Sequence, residues 1–177
     1  MLADRLPVRV GDIVVRKLNH ADAEPFAHGT DDDLVRRFGH LPLTEYTADV
    51  VRAQIDGVIA AGLADGSLAV LAIADAESDA FLGSVVLFDI RADRLEVGFW
   101  LSPAARGRGA ARKAVQAAEQ LATSAGCAVV EARTSPANSA SVRVLEQAGF
   151  HQRGSAATGS APSGEEVTLL MFEKRLE

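Results

Sequence analysis

Two glycines alternate with two arginines in Arg106-Gly107-Arg108-Gly109, and Ala110 and Ala111 then open a helical pattern that closes at Gly126. A glycine-rich turn at a helix start suits an anion, because glycine lets successive N–H groups converge and the helix N-terminus adds partial positive charge. The same glycines would also serve a plain strand-to-helix turn. Between residues 91 and 113, Arg91, Arg94, Arg106, Arg108, Arg112 and Lys113 are opposed only by Asp93 and Glu96, so the charge around the turn is basic. No Lys-Ser or Lys-Thr follows the glycines, which excludes a P-loop, and their spacing excludes a dinucleotide fingerprint. One RGRG copy inside an apolar pattern is unlike the disordered arginine-glycine tracts that bind RNA. His20, His28, His40 and His151 lack ligand spacing, so no metal is expected. Cys127 begins an apolar strand and reads as a buried thiol.

The elements that must hold the turn follow from periodicity. "VRVGDIVVRKL" (8–18) reads as a strand or a hairpin turning at Gly11 and Asp12, and Asn19 caps a short helix that stops near Gly29. Residues 30–46 give mixed signals and read as loop with a helical turn. Thr47 caps a helix with Val50, Val51, Ile55, Val58 and Ile59 at helical spacing. "SLAVLAIAD", "AFLGSVVLFDI" and "RLEVGFWLS" then form an antiparallel meander, followed by the helix after Gly109 and a buried strand, "CAVVEART". Asn138 caps a second short helix ending at Gly149, and "EVTLLMFEKRL" is the last strand. Residues 154–165 are small and polar and predict a mobile loop; residues 1–6 predict a disordered tail. The sum is one domain over 1–177, mixed α/β around a single sheet.

"GFWLSPAARGRGAARKAVQAAEQLA" followed by "NSASVRVLEQAGF" resembles the GNAT superfamily of N-acetyltransferases, in its Rim-type branch that acetylates protein N-termini and related amines. The first block matches the family's R-G-x-G-x-[GA] loop, the second its N-x-x-S-x-x-x-L-x-x-x-G-F block, and two motifs in order are more specific than either alone. The resemblance covers nearly the whole chain and is weakest over 30–66. It implies a centrally splayed sheet of six to seven strands flanked by about four helices, with acetyl-CoA as co-substrate. The diphosphate would lie on the N–H groups of Arg106, Gly107, Arg108, Gly109, Ala110 and Ala111. The pantetheine arm would bond the backbone of Phe99, Trp100 and Leu101 as an added strand does; the side chains of Phe99 and Leu101 suit core packing equally well. Glu96, on the strand face of Trp100, is the candidate base, since a carboxylate beside an apolar pocket has a raised pKa. A solvated strand glutamate is the plainer alternative. Ser141 lies one helical turn beyond Asn138, so both would face the cofactor, and Ser141 is the candidate acid toward the leaving sulfur, with water the alternative. The family's usual tyrosine four residues on is Leu145 here, and the chain's one tyrosine is Tyr46.

The formal charge of −6 argues against general nucleic-acid binding, and no apolar run reaches the ~20 residues that span a bilayer. A single cysteine and no signal-peptide pattern predict a cytoplasmic setting. The resemblance also implies a possible homodimer. "TDDD" (30–33) reads as a solvated loop that, with Glu45, would attract a cationic acceptor. A non-catalytic acyl-CoA-binding module and transfer of a longer acyl group are the competing functions, because fold alone does not fix function.

Overall fold

The N-terminal alternation of β-branched residues folds as a hairpin, β1 (Val8–Val10) and β2 (Ile13–Lys17), turning at Gly11 and Asp12. The computed structural model describes residues 2–39, 41–161 and 163–177. After β2, Asn19 accepts the N–H of Ala21 at 2.9 Å while Asp22 accepts that of Asn19 at 2.9 Å. This reciprocal capping starts the turn leading into α1 (Ala23–Thr30). A short helix, α2 (Asp33–Phe38), follows. Thr47 accepts the Val50 N–H at 3.2 Å and caps α3 (Ala48–Gln54), which passes through a kinked turn (Ile55–Ile59), non-helical at Gly57, into α4 (Ala60–Asp65). The meander is β3 (Ala69–Asp75), β4 (Phe81–Phe88) and β5 (Arg94–Leu101). Then come α5 (Ala110–Ser124), β6 (Val129–Thr134), α6 (Ser139–Gln147), β7 (His151–Ser160) and β8 (Glu166–Arg175).

Among the described residues the sheet has eight strands in the order β1-β2-β3-β4-β5-β6-β8-β7. Every neighbouring pair is antiparallel except β5 and β6, which are parallel and joined through α5. That parallel pairing covers only Arg94↔Val129, Leu95↔Val130 and Glu96↔Glu131. Beyond Glu96, β5 stays bonded to β4 as far as Leu101, and β6 stays bonded to β8 as far as Thr134. The sheet therefore opens between β5 and β6, which leaves the Val97–Leu101 edge unpaired.

Alternation along β5 serves two layers. Leu95, Val97, Phe99 and Leu101 meet α5, whose buried face of Ala110, Ala114, Ala117, Ala118 and Ala122 combines high helix propensity with close approach to the sheet. Trp100 points the other way, into a second cluster with Phe26, Tyr46, Val51 and Ile59 from the α1 and α3 layer.

Three expectations change. Residues 154–160 belong to a strand rather than a loop: they pair with β8 from Ala157↔Leu169 to Ser160↔Glu166, past an irregularity between Arg153 and Ala157. β7 is an edge strand with exposed side chains, held by backbone bonds to one neighbour, so it needs no apolar period and shows none. The rest of that segment turns through bonds from Ala161 N–H to Glu165 and from Gly164 N–H to Ala161, with residue 162 outside the described residues. The predicted tail also differs: Leu2–Arg5 forms a 3-10 turn with Leu2 buried in the core, residue 1 lying outside the described residues. The strand count of six to seven becomes eight because β7 was unrecognised and the hairpin contributes two strands.

Candidate functional site

Both faces of the opened sheet contribute to one cavity of about 540 Å³. From the layer of α5 and α6, Val97, Phe99, Asn138, Ser141 and Leu145 line it. From the opposite layer come Phe26, Tyr46, Gln54, Val58, Ile59 and Trp100. A cavity lined by both faces of one sheet must pass through it, and the gap between β5 and β6 is the passage. Two compounds entering from opposite sides would meet there. The kink at Gly57, whose φ and ψ of −104° and −105° are non-helical, precedes Val58 and Ile59 on this wall. Gly29 of α1 matters for the same wall, since a Cβ there would lie 2.6 Å from Cζ3 of Trp100.

Glu96 sits where the strands separate. It is 5% exposed, and its Oε1 accepts from Nε of Arg133 at 2.7 Å. Burial pushes its carboxyl above the usual glutamate range, and the Arg133 guanidinium opposes that shift without cancelling it. The alternative of a solvated glutamate is thus removed by its burial. Register explains the pairing: Glu96 is level with Glu131, and Arg133, two residues on, shares the face of Glu131 beside the gap.

The turn after β5 has the backbone an anion needs. Gly107 and Gly109 adopt φ of +76° and +75°, a left-handed conformation that side-chain-bearing residues rarely take. Gly109 is the N-cap of the fifteen-residue α5 and offers no side chain to its first-turn N–H groups. Those donors stay open at the positive end of the helix dipole. Arg106 behaves differently from its neighbours. Its N–H bonds the Pro103 carbonyl at 3.3 Å, and its guanidinium bonds Asp32 at 2.5 Å and the Leu101 carbonyl at 3.0 Å. Lys113 pairs with Asp12 at 2.6 Å. Among the described residues, Arg108 and Arg112 make no ion pair within 4.0 Å, so the basic surplus at the turn rests on them.

Of the sequence candidates, the structure gathers Glu96, Phe99, Trp100, Asn138 and Ser141 around the cavity. It keeps Leu101 in the α5 core and Arg106–Ala111 in the adjoining turn. Asn138 caps α6 by accepting the Ser141 N–H at 3.2 Å. Cys127 is buried with its thiol pushed up by burial, as a packing residue should be. Sequence reasoning missed Arg133, and it set aside Tyr46, which reaches the cavity wall and accepts the Leu43 N–H at 3.3 Å. Only the alternation of Glu131 and Arg133 on β6 signalled the first, and nothing local signalled the second.

Asp32 also departs from the solvated loop expected of "TDDD". It caps α2 by accepting the N–H groups of Leu34 (3.1 Å) and Val35 (3.2 Å) while holding Arg106. Arg106 keeps the Asp32 carboxyl below the usual carboxylate range. A carboxyl lowered on folding stabilises above its unfolded pKa, and that contribution is lost as pH falls through the folded value. Asp32→Asn retains a cap but loses the charge, so it should cost no more than about 1 kcal/mol at neutral pH and less as the pH is lowered. Thermal melts of both proteins at neutral and acid pH check this.

The family described as "Acetyltransferase (GNAT) domain" matches residues 12–151. The chain belongs to the GNAT acetyltransferases. The fold of this GNAT chain recurs in solved structures that are under 25% identical to it. One is the ribosomal-protein-S5-alanine acetyltransferase from Vibrio fischeri, with 18% identity, a TM-score of 0.79 and 96% of each chain covered. Another is Mycobacterium smegmatis RimJ in complex with CoA-disulfide, at 19% identity and TM-score 0.79, covering 96% of this chain and 85% of that one. A third is the spermidine N-acetyltransferase from Vibrio cholerae in complex with CoA and spermine, at 16% and 0.75, covering 93% and 95%. No curated protein matches the GNAT chain. Among its described residues, no helix is long and apolar enough to cross a membrane.

Proposed function

We propose that the protein transfers an acetyl group from acetyl-CoA to a primary amine by direct attack within a ternary complex. The observation that carries this is the cavity through the opened sheet, with a buried carboxylate, Glu96, where β5 and β6 part. Acetyl-CoA supplies the activated thioester. The residues present fit it: open N–H donors from Gly107 to Arg112 for the diphosphate, and an unpaired Val97–Leu101 edge for the amides of the arm. Arg106 contributes by shaping the turn, because its own polar groups are committed to Pro103, Leu101 and Asp32.

Glu96 receives the proton that the entering ammonium must lose before its nitrogen can attack. Its burial brings its pKa nearer the working pH than that of an exposed glutamate, which favours a base. Arg133 holds the carboxylate in place. Ser141, on the cavity wall, passes its hydroxyl proton to the sulfur as the thiolate leaves and regains one from the nitrogen, which sheds its second proton after attack; it stands in place of the tyrosine that Leu145 replaces. No metal takes part in this reading, and its setting is the cytoplasm, with Cys127 reduced. Release of free CoA from acetyl-CoA on addition of primary amines tests the proposal. Amine-dependent release supports it; tight CoA binding with no release under any amine would favour the non-catalytic module.

A further inference from the structure

Charge is scarce around the cavity. Among the described residues that line it, only Glu96 and Arg133 are charged, and they neutralise each other at 2.7 Å. The acidic residues that sequence reasoning offered to a cationic acceptor lie outside the lining. Asp31 pairs with Arg36 at 2.7 Å, Asp32 pairs with Arg106, and neither Asp33 nor Glu45 reaches the wall. The side that receives the acceptor is instead aromatic and aliphatic. The Phe26 ring meets Trp100 edge-to-face with centroids 5.1 Å apart and lies tilted 5.8 Å from Tyr46, and Leu41, Val58, Ile59 and Val70 continue the surface. Ser84, a polar residue on that wall, has its hydroxyl committed to the Leu71 carbonyl at 2.9 Å.

We propose that the acceptor is a small hydrophobic monoamine, a primary amine on an arylalkyl or alkyl body, an inference that rests on the acetyl-transfer reading above. One ammonium can be met by Glu96 as it loses its proton. A second would enter an apolar wall with no counter-charge, which costs far more than contacts with its methylenes return. A peptide is disfavoured for a related reason. Each peptide unit brings an N–H and a C=O that need partners, and the polar side chains the lining offers beyond those of α6 and the committed Ser84 are few: Gln54, the Tyr46 hydroxyl, Thr134 and Ser160. The volume also suits a small molecule, since about 540 Å³ must hold both the acceptor and the reacting end of the co-substrate.

The test measures kcat/KM for CoA release with 2-phenylethylamine, hexylamine, ethanolamine and spermidine, and with tripeptides bearing an N-terminal Phe or Ser. The two apolar amines should exceed ethanolamine and spermidine by about tenfold or more, the scale on which a pocket reads apolar bulk. Val58→Glu places a carboxylate on the wall at a residue 56% exposed, where the fold tolerates it. It should raise the spermidine value relative to hexylamine by about tenfold. Equal or better use of spermidine or ethanolamine by the parent protein would overturn the inference and leave acetyl transfer intact. Preference for the Phe tripeptide over the free amines would overturn the small-molecule assignment. If no amine were acetylated although acetyl-CoA bound, the underlying reading would fall, and this inference with it.

Discussion

Gly109→Glu should fold normally and bind acetyl-CoA at least about 100-fold more weakly than the parent protein. Nothing lies within 4 Å of a Cβ built at Gly109, so the fold has room for the side chain. The φ of +75° makes any non-glycine residue there cost roughly 1–2 kcal/mol. The carboxylate then sits among the N–H groups proposed to receive the diphosphate. Two unit charges ~4 Å apart near a protein surface repel by about 4 kcal/mol, and each 1.4 kcal/mol is a factor of ten. Repulsion therefore dominates strain. Gly109→Ala separates them, since it carries the strain alone and should weaken binding by no more than about tenfold, the limit in which the free turn relieves all of that strain. Calorimetric titration of the three proteins with acetyl-CoA, beside thermal melts, checks the prediction; equal affinities would remove the turn from the binding account.

Glu96→Gln should lower kcat by about 100- to 1,000-fold, the usual contribution of a positioned base, and leave acetyl-CoA affinity within about twofold. The direction of its pKa shift sets the pH dependence. Glu96 must be ionised to accept a proton, and burial raises its pKa, so the parent's rate should fall on acidification at pH values above the ordinary glutamate range. The variant has no such group and should lack that acidic limb. Arg133→Met should move the limb higher still by removing the guanidinium that opposes the shift. A limb that persists unchanged in Glu96→Gln would assign it to another group.

Features with a local physical signature were legible in the sequence. Asn19, Thr47 and Asn138 cap helices because a short polar side chain can reach an N–H two or three residues on, and each is visible beside an apolar period. The glycines at 107 and 109 announced a tight turn at a helix start, and the structure has it, with positive φ at both. β7 was illegible because an edge strand is fixed by its neighbour's backbone, and Gly154, Ala156, Ala157 and Ser160 carry no hydrophobic pattern. Asp32 and Arg106 are separated by most of the sheet in sequence, so a pairing that turns a solvated aspartate into a tie between α2 and the turn leaves no short-range trace. The same holds for Glu96 with Arg133, and for Tyr46 on the cavity wall. The strand face of Glu96 was readable from alternation, while its partner and burial came only with the opening between β5 and β6.

The most direct test is a crystal structure of the protein with CoA bound. The account predicts diphosphate oxygens about 3 Å from backbone nitrogens between Gly107 and Arg112, with the arm running along Val97–Leu101 toward Glu96. A diphosphate held elsewhere, with that turn facing solvent, would contradict it.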